Sequence, residues 1–261
     1  MDATAANGLP CWVDLSTTDI TAAEAFYRGL LDWTVATNQT PMGEYLIGSV
    51  GDREVGGMMA QSPETAGSPS VWTTFFFVDD LDATLAEITS AGGKVLAPPF
   101  EIPDGARVSV VTDPSGAMFA LISEGRQPGP YFSMEVGAVS WVELMTRRPD
   151  EARAFYHQVF GWKATTEDAG GMAYTVFSLA ATQVGGMIET PAHLPDDVPD
   201  TWSVYFTVAD CQAIVEEAAE LGGQVILPPT QTPIGPFAVL ADPQGAVFQV
   251  MEFAAEVSAT S

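Results

Sequence analysis

Residues 25–33, AFYRGLLDW, return as residues 154–162, AFYHQVFGW, and this correspondence decides how the whole chain is read. Phe26 matches Phe155 and Trp33 matches Trp162 at a spacing of 129 residues. The same spacing pairs Trp12 with Trp141, Tyr45 with Tyr174 and Gly57 with Gly186. Farther on, VWTTFFFVDD (71–80) pairs with TWSVYFTVAD (201–210), AGGKVLAPP (91–99) with LGGQVILPP (221–229), and DPSGAMFALI (113–122) with DPQGAVFQVM (242–251). Over these stretches the spacing is 129 or 130, so one short insertion separates otherwise colinear copies. The Pro- and Gly-bearing stretch EGRQPGPYFSMEVG (124–137) reads as a linker and sets two domains, 1–127 and 128–261.

Within each copy one pattern occurs twice. CWVDLST alternates like a strand, and Ala22 to Leu31 follows at helical spacing, with Thr21 as the expected cap. Two strand-like runs come next, Tyr45 to Val50 and Val55 to Ala60. The order then returns: a strand at Thr73 to Val78, a helix at Asp82 to Ala91, and strands at Val95, Arg107 to Thr112 and Ala117 to Ile122. The expected class is α+β, with four β-α-β-β-β units in the chain.

The chain has 261 residues, 9 Lys+Arg against 34 Asp+Glu and a formal charge of −25. Such a balance argues against nucleic acid and anionic membrane surfaces as partners. With 47% apolar residues the chain can bury a core in each domain. No apolar run is long enough to span a bilayer, and MDATAANGLP lacks an export pattern, so a soluble, cytoplasmic protein is expected. Cys11 and Cys211 are too few for a disulfide framework and lack CxxC spacing. His157 and His193 are the only histidines, and both read as surface residues. No phosphate-binding glycine loop and no GxSxG elbow is present.

The tandem β-α-β-β-β order, the EAFY or RAFY helix followed by GW or DW, and the closing DPxGAxF strand resemble the vicinal oxygen chelate superfamily. That group includes glyoxalase I, extradiol dioxygenases and bleomycin-resistance proteins, and the resemblance covers nearly the whole chain, twice. It implies two glyoxalase-like domains whose mixed sheets are cupped, each with a ligand site on its concave face. In the metal-dependent members His, Glu or Gln residues on the first and last strands hold a divalent ion. The resemblance places those positions at Trp12, Gly57, Thr73 and Ala120, and at Trp141, Gly186, Ser203 and Gln249. Only Gln249 among these can coordinate such a metal, and no shift of register toward Cys11, Asp14, Glu124, Glu143, Glu189 or Glu252 gathers three donors with a histidine in one domain. No cofactor is therefore expected, and a divalent metal stays as the alternative.

If Trp12 faces the cup, Asp14 and Ser16 do too, and by the repeat so do Trp141, Glu143 and Met145. Thr73, Phe75, Met59 and Met118 join the first set, and Ser203, Tyr205, Gln249 and Met251 the second. Aromatic and methionine side chains with a carboxylate suit an aromatic ligand carrying a cationic or hydrogen-bond-donating group. The Gly56-Gly57 and Gly185-Gly186 pairs read as places where another strand or domain packs closely, with close approach of a ligand to the backbone as the alternative. The expected function is metal-independent binding of an aromatic, cationic or neutral, metabolite. The alternative is a lyase, isomerase, cyclase or dioxygenase, either cofactor-free with Asp14 and Glu143 as acid and base or metal-dependent. The expected partner is a small molecule, and the expected assembly is a monomer with an internal pseudo-dimer, or a homodimer of it.

Overall fold

The computed structural model describes residues 7–63, 65–103, 105–123, 132–169 and 171–254. Glu124 and the start of the expected linker, 125–131, fall outside that set.

The first repeat forms β1 (Pro10–Thr17), α1 (Ile20–Leu31), β2 (Thr34–Thr40), β3 (Gly43–Val50) and β4 (Arg53–Ala60). The order then recurs as β5 (Val71–Phe77), α2 (Leu81–Ser90), β6 (Lys94–Glu101), β7 (Arg107–Thr112) and β8 (Met118–Ser123). The second repeat gives β9 (Val139–Thr146), α3 (Pro149–Phe160), β10 (Lys163–Asp168), β11 (Ala173–Leu179) and β12 (Thr182–Glu189). It ends in β13 (Thr201–Thr207), α4 (Cys211–Glu220), β14 (Gln224–Thr232), β15 (Gly235–Ala241) and β16 (Val247–Met251). The four expected β-α-β-β-β units are all present. Each repeat supplies one mixed eight-stranded sheet, in the orders β2-β3-β4-β1-β5-β8-β7-β6 and β10-β11-β12-β9-β13-β16-β15-β14.

Alternation in β1 separates two chemistries. Cys11, Val13, Leu15 and Thr17 are buried, whereas Trp12, Asp14 and Ser16 between them stay partly accessible. Val13 and Leu15 enter a core with Phe26, Tyr27 and Leu30 of α1, so the Trp12–Asp14–Ser16 row lies on the face turned away from that helix. The helix starts two residues earlier than the Thr21 cap would place it. Asp19, in extended backbone, accepts from the Ala22 amide at 3.0 Å and caps the helix itself. Asp80 does the same for α2 through Ala83, and Asp210 for α4 through Gln212 and Ala213. At their C-termini α1 and α3 turn through a left-handed residue, Asp32 at φ 52° and Gly161 at φ 71°.

Compactness divides the chain differently from the repeat. One unit, A, joins α1 and β2–β4 to α4 and β14–β16; the other, B, joins α2 and β6–β8 to α3 and β10–β12. Strands β1, β5, β9 and β13 contribute residues to both units. Within unit A the phenol of Tyr27 donates to Asp242 Oδ2 at 3.1 Å and accepts from Trp72 Nε1 at 2.9 Å. Within unit B Tyr156 donates to Asp113 Oδ2 at 3.2 Å and accepts from Trp202 Nε1 at 2.8 Å. Each bond ties a helix of one repeat to the Asp-Pro turn of the other.

Those aspartates also fold their own turns. Asp113 Oδ1 accepts from the amides of Ser115, Gly116 and Ala117, and Asp242 Oδ1 from those of Gln244 and Ala246. Burial pushes both carboxyls up from their ordinary value, against the pull of these hydrogen bonds. The DPxGA motif is therefore a buried tie between repeats. Within unit B the Pro-rich loop 191–200 is held by Arg147, the residue after β9, which donates to the carbonyls of Val198 (2.5 Å) and Pro195 (2.6 Å) and pairs with Asp200.

Candidate functional site

The row on β1 meets β3 and β4 in unit A. In the parallel pair β1/β4 Asp14 lies beside Gly57 and Ser16 beside Met59, and in the antiparallel pair β3/β4 Tyr45 lies beside Met59. Three side chains close a triangle here. Tyr45 OH donates to Asp14 Oδ1 at 2.6 Å, and Trp12 Nε1 lies 2.8 Å from both Asp14 Oδ1 and the Tyr45 oxygen. Asp14 Oδ2 takes no hydrogen bond among the described residues, although its carboxyl partner oxygen takes two.

Gly57 is a condition for this arrangement. A Cβ there would collide with Asp14 Oδ1 and the Tyr45 hydroxyl, so the space a side chain needs is already filled by the carboxylate and phenol. Gly56 is close-packed as well, its Cβ position 3.1 Å from Val13 Cγ2.

Desolvation raises the Asp14 carboxyl from 3.8 to about 6, with the hydrogen bonds from Tyr45 and Trp12 opposing the rise. Desolvation, followed by the nearby Asp14 charge, likewise holds the Tyr45 phenol well above its ordinary value. The phenol thus stays a proton donor to a carboxyl that titrates close to neutrality. Such a group can accept a hydrogen bond from a ligand or exchange a proton with it.

The other expected site residues are distributed as follows. In unit A, Tyr205 on β13 pairs in register with Gln249 on β16, and Thr207 with Met251; Tyr205, Gln249 and Met251 are all buried. Phe237 on β15 stands beside Met251, with its ring centroid 6.4 Å from that of Tyr205. Trp141 packs its ring 5.5 Å from Phe132, and Thr73 is partly accessible. In unit B, Phe75 is buried on β5, Met118 and Ser203 are partly accessible, and Glu143 is only 5% exposed, paired in register with Gly186. His157 and His193 are exposed, and Glu252 accepts from the Cys211 amide at 2.8 Å. Tyr45 and Phe237 are the residues that sequence reasoning did not single out. For Tyr45 the signal was its match to Tyr174; for Phe237 there was none.

The donor set at the positions that would hold a divalent ion does not fit one. Trp12 offers an N–H already committed to Asp14 and Tyr45, and at Gly57 the space for a ligand side chain is occupied. Ala120 has no donor, and among the described residues no group of three or more His, Cys, Asp or Glu comes together. Among those residues no helix is long and apolar enough to cross a membrane.

The Glyoxalase/Bleomycin resistance protein/Dioxygenase superfamily model matches this chain twice, over residues 11–121 and 138–250. The glyoxylase-named protein CFP32 of Mycobacterium tuberculosis is 41% identical over 250 residues, covering 94% of this chain and 95% of its own. The anthracycline biosynthesis protein DnrV of Streptomyces peucetius is 35% identical over 260 residues, covering 95% and 94%. Among solved structures, the Mn(II)-bound glyoxalase from Novosphingobium aromaticivorans is similar with a TM-score of 0.64 at 15% identity, over 97% of this chain and 83% of that one. The 2,3-dioxygenase LapB from Pseudomonas sp. KL28 gives 0.64 at 15%, over 95% and 93%. At such identities these two likenesses concern the fold alone. With both repeats matched from first strand to last, the chain belongs to the Glyoxalase/Bleomycin resistance protein/Dioxygenase superfamily.

Proposed function

We propose that this protein is a metal-independent small-molecule-binding member of its superfamily, taking an aromatic ligand on the helix-free face of β1, β3 and β4. One observation carries the reading: Asp14 commits Oδ1 to Tyr45 and Trp12 and keeps Oδ2 for a ligand, beside an indole and a phenol ring. A carboxylate held this way makes a charge-assisted hydrogen bond to an ammonium or hydroxyl group, and the rings offer stacking area. The name of the Streptomyces relative supports the same ligand class, since anthracyclines are flat polycyclic molecules. The two repeats in one chain supply what a homodimer of single repeats would.

Fluorescence titration of the purified protein with daunorubicin tests this. Wild type is expected to quench the probe saturably, and Asp14→Asn to weaken binding by about tenfold, the worth of one hydrogen bond to a charged group. Absence of saturable binding, or wild-type affinity in both Asp14→Asn and Trp12→Ala, overturns the reading.

A second reading is favoured by the position of the Asp14 titration near 6. There the carboxylate takes a proton from a carbon or hydroxyl of the bound molecule and returns it elsewhere, a cofactor-free isomerase, cyclase or lyase step. Its signature is turnover that falls below pH 6 and is lost in Asp14→Asn while binding persists.

A further inference from the structure

The two units carry the same helix–turn–strand corner, and its surface has diverged between them. In unit A it runs from α4 through Leu221, Gly222 and Gly223 into β14; in unit B, from α2 through Ala91, Gly92 and Gly93 into β6. At the spacing of 130, Ala86, Glu87 and Ser90 of α2 become Glu216, Glu217 and Glu220 of α4. Ala91 becomes Leu221, and Lys94 becomes Gln224. The unit B corner is served from within its own unit, where Gln158 of α3 donates to Glu87 Oε2 at 3.4 Å and to Ser90 Oγ at 3.2 Å. The residue matching Gln158 in the first repeat is Gly29 of α1, which has no side chain to offer and lies against Leu221.

In unit A the corner is left uncompensated. Glu216, Glu217 and Glu220 stand exposed in the last turns of α4, where the helix dipole is already negative and a basic residue would be favoured, and the last turn has none. Glu216 accepts from Gln212 Nε2 at 2.8 Å, while the carboxylates of Glu217 and Glu220 make no hydrogen bond or ion pair among the described residues. No Lys or Arg follows Lys163 in the sequence, and those of unit A are Arg28 and Arg53. Arg28 is held by Glu24 on its own helix at 3.2 Å, and Arg53 by Glu135 at 3.7 Å. Beside the glutamates, Leu221, Val225 and Ile226 are 38%, 40% and 54% exposed. Large apolar side chains exposed this close together in sequence mark a surface that gains free energy when it is covered.

We propose that this corner of unit A docks a basic amphipathic helix of a partner protein, its Lys and Arg residues meeting Glu216, Glu217 and Glu220 and its apolar stripe covering Leu221, Val225 and Ile226. Charge selects the class of partner: a second copy of this chain, at −25, or an anionic membrane would bring like charge to the glutamates. The backbone selects its form. β14 is the edge of its sheet, but Ile226 is the extra residue of a bulge and Pro228-Pro229 lacks N–H donors, so an added strand meets a broken ladder. A helix needs no ladder and presents its anchors at three- and four-residue spacing. Neither α4 nor β14 contributes a residue to the Asp14 site, so docking here is independent of ligand binding there.

The test is fluorescence anisotropy of a labelled amphipathic peptide, built from leucine and lysine in a helical pattern, titrated with full-length protein in physiological salt. Wild type is expected to bind it saturably. Glu217→Gln combined with Glu220→Gln is expected to weaken binding about tenfold, whereas Glu101→Gln combined with Glu167→Gln, which removes the same charge from unit B, changes it by less than about twofold. Ile226→Ser is expected to weaken binding about fivefold, and Leu96→Ser, its counterpart on β6, to leave it unchanged. Every substituted side chain is exposed, and thermal melting checks that each variant folds as wild type does. Equal losses in the two double variants would reduce the effect to net charge and overturn the proposal, as would unchanged binding in Ile226→Ser or no saturable binding by wild type. Sedimentation and vesicle flotation address the other occupants. A wild-type dimer that Ile226→Ser dissociates would give the surface to a second copy, and binding to phosphatidylcholine–phosphatidylglycerol vesicles that Ile226→Ser abolishes would give it to lipid; either result overturns the proposal.

Discussion

The hydroxyl of Tyr27 and the carboxyl of Asp242 lie 215 positions apart in sequence, yet they share a hydrogen bond of 3.1 Å inside one packing unit. Tyr156 and Asp113 form the matching bond in the other unit. Each tyrosine also accepts from a buried tryptophan, so removing its hydroxyl strands an indole N–H and a carboxyl at once. Tyr27→Phe and Tyr156→Phe are each expected to lower unfolding free energy by about 1–3 kcal/mol, measured by urea denaturation. Because the two sites lie in separate units, the double variant is expected to show near-additive losses. A change below the error of the midpoint in both single variants would contradict the role assigned to these ties.

Asp14 makes stability depend on pH. Its carboxyl titrates at about 6 in the fold against 3.8 as the reference, so the folded state binds the extra proton between those values. Stability from this group is highest below 3.8 and falls as pH rises through 6. The full loss corresponds to at most about 3 kcal/mol. Asp14→Asn keeps an oxygen for Tyr45 and Trp12 but carries no charge. It is expected to be more stable than wild type at pH 8 and close to it at pH 4, by thermal denaturation at both. A variant less stable at pH 8 would show that the carboxylate, not the neutral acid, is what the fold prefers.

Gly57→Ala is expected to cost about 1–3 kcal/mol and to abolish daunorubicin binding, because the added methyl displaces Asp14 and Tyr45. In a background of Asp14→Ala and Tyr45→Ala the same change should cost much less, since the colliding atoms are gone. Equal costs in both backgrounds would place the strain elsewhere.

Dialysis against EDTA, followed by addition of manganese(II), is expected to leave daunorubicin affinity unchanged within about twofold, as the donor set at the mapped positions cannot hold an ion tightly. A loss restored by the metal would return the protein to the metal-dependent branch of its superfamily.

Asp14 and Gly57 are specified at different depths of the chain's information. That Asp14 belongs to a partly accessible row with Trp12 was legible from alternation in CWVDLST, a local pattern with a period of two. That Gly57 is a place of close packing was legible too, but not what packs there. Thr21 does not cap the helix because a carboxylate caps as well as a hydroxyl does, and Asp19, two residues earlier, holds the Ala22 amide of the first turn. Tyr45 entered the site through strand register, which depends on how β3 folds back on β4.

By itself the sequence determined the tandem repeat, the four β-α-β-β-β units and the superfamily, because periodicity and internal identity are properties of the chain alone. Only the tertiary structure decided which half of one repeat packs with which half of the other. It also decided that DPxGA is a buried tie and that Asp14 shares one oxygen between Tyr45 and Trp12. The reason is physical: these features depend on hydrogen bonds and burial between residues far apart in the chain, where short-range pattern carries no information about distance.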